Sequence, residues 1–139
     1  MYIGLTEEQE TESRDKPTLA LPGAQDTLVE AVATAAQRTV VVVNAAGCGA
    51  HLQGLGDLIG TEEARSLASR VHDVMEFLHD EGLVRPPAGR PGFERVAYHD
   101  ACHALRVQHL REQPRALLRA VEGIEVLDVP GGDVCCGAA

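Results

Sequence analysis

The chain has 139 residues, a net charge of −9 and 45% hydrophobic residues, which is enough for one domain with a real core. The acidic balance argues against a nucleic-acid groove and against adhesion to anionic lipid. No apolar run approaches the ~20 residues of a membrane span, and no basic, apolar, small-residue order at the N-terminus marks a signal peptide. Aromatic residues are only 3% and Trp is absent, so the core must be built from Val, Leu, Ile and Ala. Four cysteines without a secretory signal suggest a reducing, cytoplasmic setting, where clustered thiols more often mean metal or redox chemistry than structural disulfides.

Residues 1–23 are polar and acidic, with Glu7, Glu8, Glu10, Glu12 and Asp15 close together, and are expected to form a loose N-terminal segment. Thr27-Leu28-Val29-Glu30 fits a Thr-x-x-Glu capping box, and Leu28, Val32 and Ala35 follow at helical spacing, which predicts a helix from about Asp26 to Arg38. The β-branched run from Thr39 to Asn44 reads as a strand covered on both faces. In Ala45-Ala46-Gly47-Cys48-Gly49, glycines on both sides of Cys48 allow a tight turn and close backbone approach to something bound.

Thr61 is placed to cap a second helix with Glu62 and Glu63 in its first turn. Leu67, Val71, Val74 and Leu78 step by four, three and four, so one helix is expected to run to a stop near Gly82. Three prolines and two glycines between Arg85 and Gly92 mark a surface connection. Arg95 to His99 is a second strand. Asp100 is expected to cap a helix that begins at Ala101 and carries Cys102 in its first turn, where the helix dipole favours a thiolate. Pro114 suits the first turn of a further helix, with Leu117, Leu118 and Val121 on its apolar side and Gly123 as its end. Ile124 to Val129 is a third strand, and Pro130-Gly131-Gly132 turns the chain into Cys135-Cys136-Gly137.

Helices alternating with strands predict an α/β fold, a small, mostly parallel sheet flanked by helices. Cys48 falls four residues after the first strand, Cys102 three after the second and Cys135 six after the third. Ligands of open α/β sheets bind outside the carboxyl ends of the strands, so these positions point to one edge. Iron–sulfur clusters are held by thiolates, usually four, and loops brought together by a fold need no local spacing. A lone cysteine is also a small core hydrophobe, which fits Cys48 as well as a ligand role does. That reading suits Cys135 and Cys136 less, because they lie in a glycine-rich stretch outside any apolar period. Among the histidines, His72, His79 and His109 are expected on helix surfaces. His51, His99 and His103 flank the thiols and could join them around zinc, or donate hydrogen bonds around a thiolate-held cluster; the second role is favoured because the thiols suffice in number.

Tyr98-His99-Asp100-Ala101-Cys102-His103, followed after thirty-odd residues by Cys135-Cys136-Gly137, resembles the cysteine-rich CCG domain. That domain occurs in the iron–sulfur subunit of glycolate oxidase, in lactate-utilisation iron–sulfur proteins and in the heterodisulfide reductase B subunit. Asn44 to His51 and Arg111 to Ala120 look most like the glycolate oxidase branch, and the resemblance covers about Asp26 to the C-terminus. It implies a partial CCG region over residues 24–139. It also implies a cluster, expected as [4Fe-4S], bound through Cys102, Cys135 and Cys136, with Cys48 completing the set or belonging to a neighbouring site. The family carries two CCG repeats and an upstream ferredoxin-like domain. Here the first CCG, the ferredoxin motifs and a final cysteine segment are missing, so the ligand set is incomplete. The chain is therefore expected to be incomplete at both ends: an internal piece of a larger subunit, a degenerate copy or a shortened reading frame.

The resemblance implies an electron-transfer module of a 2-hydroxy-acid oxidoreductase of the glycolate or lactate type. A flavoprotein subunit would deliver electrons, a quinone would receive them, and membrane association would be peripheral, through the complex. No acid/base or nucleophile–base pair is readable, so no catalytic residue is expected in this chain. The alternatives are a structural Cys/His zinc module and a remnant without cofactor.

Overall fold

The computed structural model describes Ile3 and residues 20–82, 95–135 and 137. The chain divides into two compact units, residues 1–39 and 40–139. Most of the expected loose segment over residues 1–23, and the expected connection over residues 85–92, lie outside the described residues.

In the first unit, α1 spans Gln25–Ala35. It starts before the expected capping box: Ala24 is the N-cap without a side-chain bond, and Thr27 sits inside the helix. Asp26, in the first turn, accepts from the Leu21 amide ahead of the helix at 3.3 Å. The helix ends at Ala35, short of Arg38, because Ala36 turns extended (ψ 136°).

The second unit begins with β1, Val41–Val43, paired in parallel with β2, Val71–Asp73, with Val41 opposite Val71 and Val43 opposite Asp73. Three short helices fill the crossover: α2 (Ala46–Gln53), α3 (Leu55–Ile59) and α4 (Glu62–Ala68). Gly60 closes α3 in the left-handed region at φ 77°, and Thr61 caps α4 by accepting from the Ala64 amide at 3.2 Å. Helix α5, Val74–Asp80, follows β2 directly, because the Asp73 carboxylate accepts from the Met75 amide at 2.8 Å and starts it.

The single helix expected through Leu67, Val71, Val74 and Leu78 is thus two helices separated by a strand. Val71 is only 4% exposed, and its backbone pairs with β1, so tertiary pairing overrides the local period. His72 is consequently a strand residue, half-buried against Glu76 at 3.3 Å, rather than a helix-surface histidine; His79 is exposed on α5, as expected.

The second βα module comprises β3 (Arg95–Tyr98), α6 (Cys102–Arg106), α7 (Glu112–Arg119) and β4 (Glu125–Asp128). Strands β3 and β4 pair in parallel, Tyr98 opposite Asp128. His109, expected on a helix surface, lies between α6 and α7 at φ 58° and reverses the chain so that the Leu110 amide reaches the Ala104 carbonyl at 2.9 Å. Packing of α2 on α6 and of α5 on α7 joins the two modules. The small fold is α/β, as expected, with its parallel strands divided between two two-stranded sheets. Among the described residues, Ala50, Ala64, Val71, Ala104 and Leu110 are buried apolar positions, and Pro114 is the largest fully buried side chain.

These caps give a direct test. Thr61→Ala is expected to lower stability by about 1 kcal/mol in urea unfolding. Thr27→Ala, which removes no cap, is expected to stay within about 0.5 kcal/mol of the parent. Equal losses would restore the capping box to Thr27.

Candidate metal centre

The site is built around the carboxyl ends of β3 and β4. Asp100 follows β3, and its amide donates to the Gly132 carbonyl at 2.8 Å, which fastens the β3–α6 connection to the turn after β4. Its carboxylate does not cap α6, as the sequence suggested; Ala101 is the N-cap, without a side-chain bond. Instead it takes both terminal nitrogens of Arg115, at 2.6 and 3.0 Å. Both side chains are buried, 2% exposed for Asp100 and 7% for Arg115. This bidentate arrangement outcompetes a single backbone bond at a helix start.

Arg115 reaches the site from α7 and is held from several sides. It donates to the Arg111 carbonyl at 2.9 Å, lies 3.6 Å from the Asp128 carboxylate at the end of β4, and stands 5.2 Å from the centre of the Tyr98 ring. The hydrogen bonds from Arg115 hold the Asp100 carboxyl below its ordinary pKa, against the opposing effect of burial. Burial first, then the Asp100 charge, raise that of the Tyr98 phenol. A polar cleft of about 370 Å³ opens here, lined among others by Arg111, Arg119, Asp133 and Gly131.

The turn after β4 needs its glycines. Gly131 adopts φ 71°, and a Cβ on Gly132 would meet the Val129 carbonyl oxygen at 2.9 Å. The turn delivers Cys135 to the start of α6, where Cys102 sits in the first turn. The Cys102 thiol is near enough to act as a hydrogen-bond partner of Cys135. The Cys135 thiol is pulled below its ordinary pKa by the Gly137 backbone N–H first, then by Cys102, with the Arg106 charge adding to both. The His103 ring places Nδ1 3.7 Å from the Cys102 sulfur.

Cys102 and Cys135 are therefore brought together. Cys136 lies outside the described residues. Cys48 is exposed on α2, the helix that packs on α6, and the expected tight turn around it is helical. Its flanking glycines serve packing: a Cβ on Gly47 would come within 3.7 Å of His103 Nδ1, and one on Gly49 within 3.3 Å of Gln108 Oε1. Gln108 in turn donates to the Ala46 carbonyl at 3.0 Å, while its own buried Oε1 has no hydrogen-bond partner among the described residues. His51 is exposed on α2, and His99 and His103 are exposed beside the β3 end.

An iron–sulfur cluster requires converging thiolates. Cys102 and Cys135 meet that requirement in kind and in proximity, and the surroundings of Cys135 favour its thiolate form. Among the described residues, no three Cys, His, Asp or Glu side chains are grouped to hold a metal ion.

Residues 96–139 match the Cysteine-rich domain (CCG) family. Over these residues the chain is similar to the cysteine-rich domain of CCG proteins. It is 30% identical over 104 residues to a probable glycolate oxidase iron-sulfur subunit of Bacillus subtilis, covering 71% of this chain and 23% of that protein. It is 31% identical over 120 residues to lactate utilization protein A of Geobacillus thermodenitrificans, covering 82% and 49% of the two chains. A fumarate reductase (CoM/CoB) subunit of Methanothermobacter marburgensis is 35% identical over 100 residues, covering 72% and 19%. The chain thus spans from about a fifth to about half of these relatives. The Glycosyl hydrolase family 3 C-terminal domain family matches residues 1–53. No solved structure matches the chain.

The residues that sequence reasoning missed are Arg106, Gln108, Arg115 and Asp128. Arg115 sits one position after the proline that marked α7, but nothing local distinguishes it from the exposed Arg111 and Arg119. Asp100→Asn is expected to cost on the order of 3 kcal/mol at neutral pH, since it leaves the Arg115 charge buried with a weakened partner. Because the folded carboxyl titrates below its unfolded value of about 3.9, the pair's contribution is complete above that value. It is lost as pH falls through the lowered folded pKa. Urea unfolding between neutral and acid pH should show this limb in the parent and not in the variant.

Proposed function

We propose that this chain is an iron–sulfur electron-transfer module of a 2-hydroxy-acid oxidoreductase complex, with residues 24–139 forming a partial CCG region. The observation that carries this reading is the meeting of Cys102 and Cys135, from loops 33 positions apart in sequence, at one sheet edge. The relatives support it by their names: one is a glycolate oxidase iron-sulfur subunit and another a lactate utilization protein. Cys102, Cys135 and Cys136 would hold the cluster, expected as [4Fe-4S], and Cys48 would complete the set from α2 or serve a neighbouring site. His51, His99 and His103 would act as hydrogen-bond donors around it.

A bound cluster supplies one-electron chemistry at thiolate-held iron. The chain's own residues set where that can happen. Asp100 and Arg115 fix the β3 end against the Gly132 turn, and the Gly137 N–H first, with Arg106 as a weaker influence, lowers the pKa of the Cys135 thiol. In this reading a flavoprotein subunit oxidises a glycolate- or lactate-type acid and this module passes electrons toward a quinone in a cytoplasmic complex with peripheral membrane association. No helix among the described residues is long and apolar enough to cross a membrane.

Anaerobic reconstitution with iron and sulfide tests the assignment. The parent is expected to turn brown, bleach with oxidant and hold its iron weakly. Cys102→Ser, Cys135→Ser and Cys136→Ser should each abolish iron retention, whereas His79→Ala, exposed on α5, should retain iron like the parent. Equal retention in all variants would remove the ligand assignment. A colourless protein that takes up zinc through the same cysteines would establish a structural Cys/His site instead.

A further inference from the structure

Arg106, at the end of α6, is an exposed residue on an acidic protein, and the usual fate of such a side chain is to point into water. Here its guanidinium instead donates to the Asp133 carbonyl at 2.8 Å, across 27 positions of sequence. Holding a long side chain in one geometry costs conformational entropy, so the bond is informative. Its acceptor lies two residues before Cys135, in the turn delivered by Gly131 and Gly132. Its own helix begins with Cys102. One side chain therefore ties together the two backbone segments that carry the meeting thiols, and it brings a permanent positive charge to them.

We infer that Arg106 is a positioning residue for the thiolate centre, acting as a tether of the Cys135 turn to α6 and as the fixed cation that tunes the centre's reduction potential. This rests on the cluster reading proposed above. The two roles follow from separate features of one group. The tether needs a hydrogen-bond donor at the Asp133 carbonyl. The tuning needs only a charge, because net charge and hydrogen bonding around the sulfurs set the potentials of such clusters. A nearby cation stabilises the state with the added electron and so raises the potential.

Three substitutions separate these roles in the full chain. Arg106→Gln keeps a donor without charge, Arg106→Lys keeps charge without the planar fork, and Arg106→Ala keeps neither. After anaerobic reconstitution, the midpoint potential is expected to move negative in Arg106→Gln and Arg106→Ala and to stay near the parent in Arg106→Lys. Without any iron, hydrogen exchange of the Val134 amide, which donates to the Gly131 carbonyl at 3.0 Å, should quicken in Arg106→Ala and be largely restored in Arg106→Gln. A potential unchanged across all three variants overturns the tuning role. Exchange unchanged in Arg106→Ala overturns the tether. If the parent itself takes up no iron, the tuning role falls together with the cluster reading beneath it, and the exchange measurement still decides the tether.

Discussion

The architecture around the thiols depends on the buried pair of Asp100 and Arg115. Removing two charges from water is costly, and their attraction offsets that cost only with close geometry and further hydrogen bonds. Both conditions hold: the pair is bidentate, and Arg115 also reaches the Arg111 carbonyl, the Asp128 carboxylate and the Tyr98 ring. These partners belong to β3, β4, α7 and the connection before α6. The pair is thus a device for register more than a store of stability. It states which turn of α7 must face the end of the sheet, and it fixes Asp100, whose amide then holds the Gly132 turn. Cys102 lies two residues beyond one end of this clamp and Cys135 three beyond the other.

Elements with a strong local signal were readable in sequence. The valine run of β1, the strand before Asp100 and the strand after Gly123 are where their composition put them, and Thr61 caps α4. What could not be read depends on partners distant in the chain. Val71 stands at helical spacing from Leu67, Val74 and Leu78, and a three-residue strand is too short to display alternation, so only pairing with β1 reveals it. Asp100 carries the residue type of a helix cap, yet its partner lies fifteen residues onward. The glycines around Cys48 were expected to let the backbone approach something bound. What approaches is α6, through His103 and Gln108, and helical glycines serve that as well as a turn would.

The expectation that Cys102 and Cys135 share one edge follows from topology. Parallel strands β3 and β4 both end at one edge, and whatever follows each must begin there. Cys48 obeys the same rule for β1, but β1 belongs to the other two-stranded sheet. Its link to the pair runs through the packing of α2 on α6, where the buried Gln108 Oε1 has no hydrogen-bond partner among the described residues. A site that includes Cys48 is therefore sensitive to how tightly two helices pack. A site of Cys102 and Cys135 is set by backbone pairing.

Chain-level charge gives the wrong expectation for these thiols. A net charge of −9 should oppose another anion, so a thiolate on this protein looks unfavourable. Charges beyond about 8 Å are largely screened at physiological ionic strength, however, and an exposed sulfur responds mainly to its contacts. At Cys135 those contacts are the Gly137 amide, the Cys102 thiol and the Arg106 guanidinium, and all three favour the anion. The backbone amide is the strongest of them, and it depends on a glycine at φ 81° just past the cysteine pair. The same glycine that lets the chain turn after two adjacent cysteines also aims its N–H back at the first sulfur. Backbone conformation and thiol chemistry are thus linked at this glycine, with Cys102 and Arg106 adding to its effect on the thiol.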